Sequence, residues 1–223
     1  MARLTEIQLA PSDADIHSGT GQVTGLSVQP SGRPGDLWVA SYLTVGGTGA
    51  AHQAPDTSWS LIGSTGDINS TLALSVWAKR AIIGTFPIPF THTGSLRAAL
   101  SVRSFGNALA VEGTPGVGGA GGVTSHTHTA QTALDADRLW VLVTAKNTAG
   151  GVTTTINTPS GFSETSDICS AHATNPNANL SVHHKIVPAG STGTQVVDSS
   201  DGAARTWAGV GFLLKPRNMR RPR

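Results

Sequence analysis

Apolar positions along this chain come in short alternating runs, each closed by glycine, proline or a small polar cluster. Val23 to Val28 is the first, and Pro30-Ser31-Gly32-Arg33-Pro34-Gly35 ends it. Such a Pro/Gly cluster marks a turn. Leu37 to Val45 follows, with Trp38, Ala40 and Tyr42 on one side and Leu37, Val39 and Leu43 on the other. A period of two is that of a pleated strand. Residues 48–57 read as loop, Trp59 to Ile62 as a short strand, and Leu72 to Ala81 as a long one. Phe86 to Phe90 is interrupted by Pro87 and Pro89, which predicts an edge segment or no strand at all. Leu96 to Phe105 alternates well. Residues 112–123 are so dense in glycine that they cannot pack a core, and a surface connection is expected there. Further strands are then expected at Thr124–Ala130, Leu139–Ala145, Gly161–Thr165, Leu180–Val187, Thr194–Val197 and Thr206–Leu214. Many short strands separated by turns predict a β-sandwich or barrel.

The second series echoes the first. Leu37-Trp38-Val39 returns as Leu139-Trp140-Val141, Ser58-Trp59 as Gly161-Phe162, and Leu74-Ser75-Val76 as Leu180-Ser181-Val182. The offsets are 102, 103 and 106 residues. Three anchors in one order at nearly constant spacing predict an internal duplication. The expected organisation is an arm over 1–22, one sandwich domain over 23–214 and a tail over 215–223. The halves would be about 23–111 and 124–214, joined by the connection at 112–123.

Composition agrees with strands and turns. Only 13% of the 223 residues are charged, and 27 are glycine. A disordered chain would carry more charge and fewer apolar residues. Cys169 is the single cysteine, which excludes an internal disulfide. The N-terminal residues lack the apolar core of a signal peptide and no run reaches membrane-span length, so a soluble protein without a cleavable signal is expected. Lys215, Arg217, Arg220, Arg221 and Arg223 give the tail five positive charges, leaving the remaining residues three net negative against a total of +2. The basic character belongs to the tail, which argues against a nucleic-acid-binding body.

Candidate chemistry is sparse. His126 and His128 alternate, so they share one face of a strand and could offer two imidazoles to a metal. No cysteine or carboxylate beside them completes a set, and a polar strand face is the plainer expectation. His183 and His184 point to opposite faces. No nucleophile elbow, phosphate loop or carboxylate pair stands out, so no enzyme and no cofactor are expected. Trp38, Trp59, Trp77, Trp140 and Trp207 could form a sugar-stacking platform, but their repeat-equivalent positions favour core packing. Trp59, beside a loop, is the candidate glycan contact. The tail cations Lys215, Arg217, Arg220, Arg221 and Arg223 are candidate assembly contacts.

Four segments carry a likeness. Gly35-Asp36-Leu37-Trp38-Val39-Ala40, Ser58-Trp59-Ser60-Leu61-Ile62, Val76-Trp77-Ala78-Lys79 and Trp207-Ala208-Gly209-Val210 resemble a β-sandwich module of bacteriophage structural proteins and bacterial extracellular proteins. The chain departs from that module at Asp56-Thr57, where Pro and Gly would precede the tryptophan. The likeness covers roughly residues 18–216. The fold expected is an all-β antiparallel sandwich of jelly-roll type built from two pseudo-equivalent halves. The likeness implies a setting in the virion: a non-enzymatic minor tail or capsid decoration component, homo-oligomeric, contacting other virion proteins, with a host-surface glycan as a further candidate partner. The alternative is a carbohydrate-binding adhesion module of a phage tail or bacterial surface protein.

Overall fold

A computed structural model describes residues 8–9, 14–17, 22–30, 32–47, 51–82, 87–170, 173 and 176–217. Among them there are strands and no helix. In chain order the first eight are β1 (Gln8–Leu9), β2 (Ala14–His17), β3 (Val23–Val28), β4 (Leu37–Val45), β5 (His52–Gln53), β6 (Ser60–Ile68), β7 (Leu72–Arg80) and β8 (Ile88–Gly106). Then come β9 (Ala108–Val123), β10 (His126–His128), β11 (Thr132–Ala133), β12 (Arg138–Thr148), β13 (Ser163–Cys169), β14 (Asn177–Val187), β15 (Gly190–Ser191), β16 (Gln195–Val197) and β17 (Arg205–Pro216).

Two antiparallel sheets form the body. One runs β6-β7-β4-β8 and the other β13-β14-β12-β17-β9. The central strands are the two Leu-Trp-Val segments. Leu37 lies between Arg80 and Phe105, and Leu139 between Ile186 and Leu214. Every residue of β4 is buried, which is why both of its faces read apolar.

The two sheets pack face to face. Leu37, Val39, Leu43, Leu74 and Val76 of the first meet Leu139, Val141, Val143, Val182, Val210 and Phe212 of the second. The outer face of each sheet is covered as well. Trp38, Tyr42, Trp77 and Leu100 lie under Leu26, Val28, Trp59 and Phe90. Trp140, Leu142, Trp207 and Leu213 lie under Ala133, Ile156 and Val197. Burying one such aliphatic or aromatic side chain contributes about 1.5–3 kcal/mol, so the covering layers are part of the fold's stability.

The structure departs from the expectation in several places. The glycine-rich residues 112–123, expected as a connection, belong to β9 and form the edge of the second sheet against β17. Glycine supplies no burial of its own there, but it permits close approach. A Cβ on Gly119 would meet Ile68 Cδ1 at 1.9 Å, and one on Gly116 would meet Thr129 Oγ1 at 2.2 Å. The passage from β8 to β9 turns on Asn107 at φ 61°, a conformation asparagine tolerates better than most residues. Of the segment expected at Phe86–Phe90, Phe86 lies outside the described residues, and Ile88 to Phe90 joins the segment expected at Leu96–Phe105 in the one long strand β8. Pro89 lies opposite Ser27 of β3 and beyond the end of β5, where a missing N–H costs no ladder bond to β5. The arm contributes β1 and β2, which pair with β8 from Gly106 back to Ala99. The last strand runs past Leu214 through Lys215 and Pro216.

Candidate functional site

Polar side chains sit on the outer face of each central strand, and imidazoles from the covering layer close over them. On the first sheet, Thr44 and Ser75 both meet His52, at 2.8 Å from Nε2 and 3.0 Å from Nδ1. His92 Nε2–H donates to the Val23 carbonyl at 2.9 Å, so its Nδ1 accepts from the Tyr42 hydroxyl at 2.6 Å. Burial, with His92 nearby, pushes His52 down to about 3. Burial lowers His92 too, against the bond to Val23 that raises it.

The second sheet repeats the arrangement with other residues. Thr144 lies opposite Ser181 and Gly209, and its hydroxyl is 2.8 Å from His128 Nε2. The His126 and His128 rings meet edge to face at 4.7 Å. Both point inward from β10, as alternation on a strand requires. They fit because Gly209 is bare: a Cβ there would stand 2.3 Å from His126 Nε2 and 2.6 Å from His128 Cε1. Burial holds His126 at about 4 and His128 well below the ordinary range. His128 Nδ1 is buried without a hydrogen-bond partner. Among the described residues no three of His, Cys, Asp and Glu come together. The two rings, kept neutral by burial, cap the outer face of the second sheet.

His183 is fully buried on the same face, and His184 is only partly buried on the other. Ser181 Oγ lies 3.0 Å from His183 Nε2 and 3.5 Å from its Nδ1, and Glu164 Oε2 lies 3.9 Å from Nε2.

The candidate glycan contact is not presented. Trp59 is 6% exposed, edge to face with Phe90 at 5.2 Å, with Lys79 Nζ 5.8 Å from its ring centroid. The other four tryptophans are buried as well. Of the tail cations, Lys215 is half-buried within β17, in register with Ala110. Arg217 is tied to the body, its N–H donating to the Asn107 carbonyl and its guanidinium to the Gly35 carbonyl, each at 2.6 Å. Arg220, Arg221 and Arg223 lie outside the described residues.

The surface itself offers a trough of about 440 Å³ between the β6–β7 edge and β9. Leu61 and Leu109 stand exposed at it, Ile62 and Val111 line it, and Lys79 paired with Asp56 flanks it. Arg80 closes one end by donating to the carbonyls of Gly35, Ala108 and Leu109. Sequence reasoning missed this feature. Its signal was present only as two leucines, in segments read as a strand end and as the approach to a connection.

Among the described residues no helix is long and apolar enough to cross a membrane. No family model, no curated protein and no solved structure matches the chain.

Proposed function

We propose that this chain is a non-enzymatic structural component of a bacteriophage virion, a minor tail or capsid decoration protein that works through assembly contacts. One observation carries the reading. His92, His126, His128, His183 and all five tryptophans are buried, whereas the surface presents Leu61, Leu109 and, among the described residues, an open strand edge at β6. Exposed apolar residues beside an unpaired edge are the features of a protein contact. Other virion proteins, or further copies of the chain, are the partners in this reading.

The architecture in this reading is two pseudo-equivalent halves stacked as a sandwich of jelly-roll type. The shared neighbour order supports it: β6-β7-β4-β8 beside β13-β14-β12-β17. So does the chain's passage from one sheet to the other at Asn107.

Mass spectrometry of gradient-purified particles tests the proposal. The protein is expected at a fixed ratio to the major virion proteins, and Leu61→Asp with Leu109→Asp is expected to lose it from the particle without unfolding it. Particles lacking the protein would overturn the reading. Retention on a glycan array at micromolar protein would favour the adhesion alternative.

A further inference from the structure

Lys146 belongs to the buried face that also holds Trp140, Leu142 and Thr144. Its side chain is completely enclosed. The Nζ group donates to Ser199 Oγ and to Asp201 Oδ1, and lies 5.0 Å from the Trp207 ring centroid. Asp201 Oδ1 also accepts from the Ser199 hydroxyl at 2.8 Å and from the Ala203 N–H at 3.3 Å. Asp201 Oδ2 is buried with no hydrogen-bond partner. An amine and a carboxylate are thus held together beside an indole face, with donors converging on one carboxylate oxygen and none on the other.

We propose that Lys146 and Asp201 condense into an intramolecular amide that crosslinks the centre of the second sheet to the turn before β17. A proton passes from Nζ to the Asp201 carboxylate through their direct contact. The freed lone pair attacks Cγ and the negative charge gathers on Oδ2. Oδ1, polarised by the Ser199 hydroxyl and the Ala203 N–H, takes a second proton from the nitrogen and leaves as water while Oδ2 becomes the amide carbonyl oxygen. One ammonium and one carboxylate become one secondary amide and one water, with no oxidant, metal or activating group. Burial raises the Asp201 carboxyl, but its hydrogen bonds to Lys146, Ser199 and Ala203 outweigh that and hold it low. The protonated carboxyl is therefore scarce, and the bond accumulates with time after folding. The crosslink closes a loop between residues 55 apart. It stands whether or not the chain is a virion component.

The intact mass of the aged full-length chain under denaturing conditions tests this. The expected result is a chain lighter by one water, with a proteolytic map containing a branched peptide that joins Lys146 to Asp201. Lys146→Arg and Asp201→Ala are each expected to restore the full mass. Arginine keeps the charge, so a misfolded variant does not mimic the result, and the wild-type mass alone decides whether the bond exists. A wild type at full mass overturns the proposal. So does a water loss that survives in Lys146→Arg, because Asp201 can also cyclise onto the Gly202 nitrogen. Loss of ammonia instead of water overturns it too, since that would join Lys146 to its cross-strand neighbour Asn179.

Discussion

At Gly209 a missing methyl group decides whether two rings can sit on a sheet. Both imidazoles of β10 occupy the space its Cβ would take. Gly209→Ala is expected to cost about 1–3 kcal/mol, the usual range for overpacking, measured as a drop in the urea midpoint. Trp140 shows the converse. It is fully buried, with Phe162 at 5.4 Å and Lys185 Nζ at 5.0 Å from its ring. Trp140→Ala is expected to cost about 3–5 kcal/mol from the cavity left behind, and an unchanged melting temperature would mean that the ring packs nothing. Glu112 and Arg138 form a pair 5% exposed on each side, at 2.8 Å, and Glu112 Oε1 also accepts from the Leu134 N–H. Glu112→Ala leaves a guanidinium buried beside one exposed carboxylate, Asp135. A loss of about 3–5 kcal/mol is expected for breaking such a pair, and thermal unfolding checks it.

Among the elements, the covering strands β5 and β10 carry neutral histidines in to the sheets, and this sets the protein's response to acid. His52, His126 and His183 are held at about 3, 4 and 4, against an ordinary value of about 6.5. Their folded pKa values are depressed and their neutral form is the buried one. Above about 6.5 neither state binds the proton, and stability is flat. Below it the unfolded chain takes up protons that the folded chain refuses, and stability falls until the folded values are reached. Each such histidine contributes a slope of up to about 1.4 kcal/mol per pH unit. Asp167, raised to about 6 by burial and by Glu164, runs the other way and offsets one of the three. The urea midpoint is therefore expected to fall steeply between pH 6 and pH 4.5. His126→Gln with His128→Gln should flatten the profile, and an unflattened one would show that β10 does not set it.

For the molecule as a whole, the two ends matter differently from what their sequence suggests. β1 and β2 lie along β8 from Ala99 to Gly106, so an N-terminal truncation strips the sheet of its cover and bares a ladder of backbone donors and acceptors. Deleting residues 1–21 is expected to give a protein that associates through that edge, seen as a rise in light scattering at constant secondary structure. At the other end, Arg217 anchors to Gly35 and Asn107. Removing residues 218–223 is expected to leave the melting temperature unchanged. If those residues make assembly contacts, the full chain's incorporation into particles weakens at high salt, and the truncated chain's incorporation is low at every salt concentration.

The strand pattern was legible because alternation is a local property. Each residue's side of the pleat follows from its neighbours, and Leu37–Val45, Leu72–Ala81 and Leu139–Ala145 all fell close to observed strands. The sharing of one face by His126 and His128 was readable for the same reason. What covers a face is not local. That the rings close over Gly209, that Trp59 is buried against Phe90, and that Lys146 meets Asp201 all depend on residues brought together from far along the chain. β9 is the clearest case. Its glycines carry no apolar period, so nothing in the segment announces a strand, and only β17 beside it and Ile68 against it make one. Local chemistry determined the strands and the faces their side chains take. Long-range packing decided which of those faces are sealed.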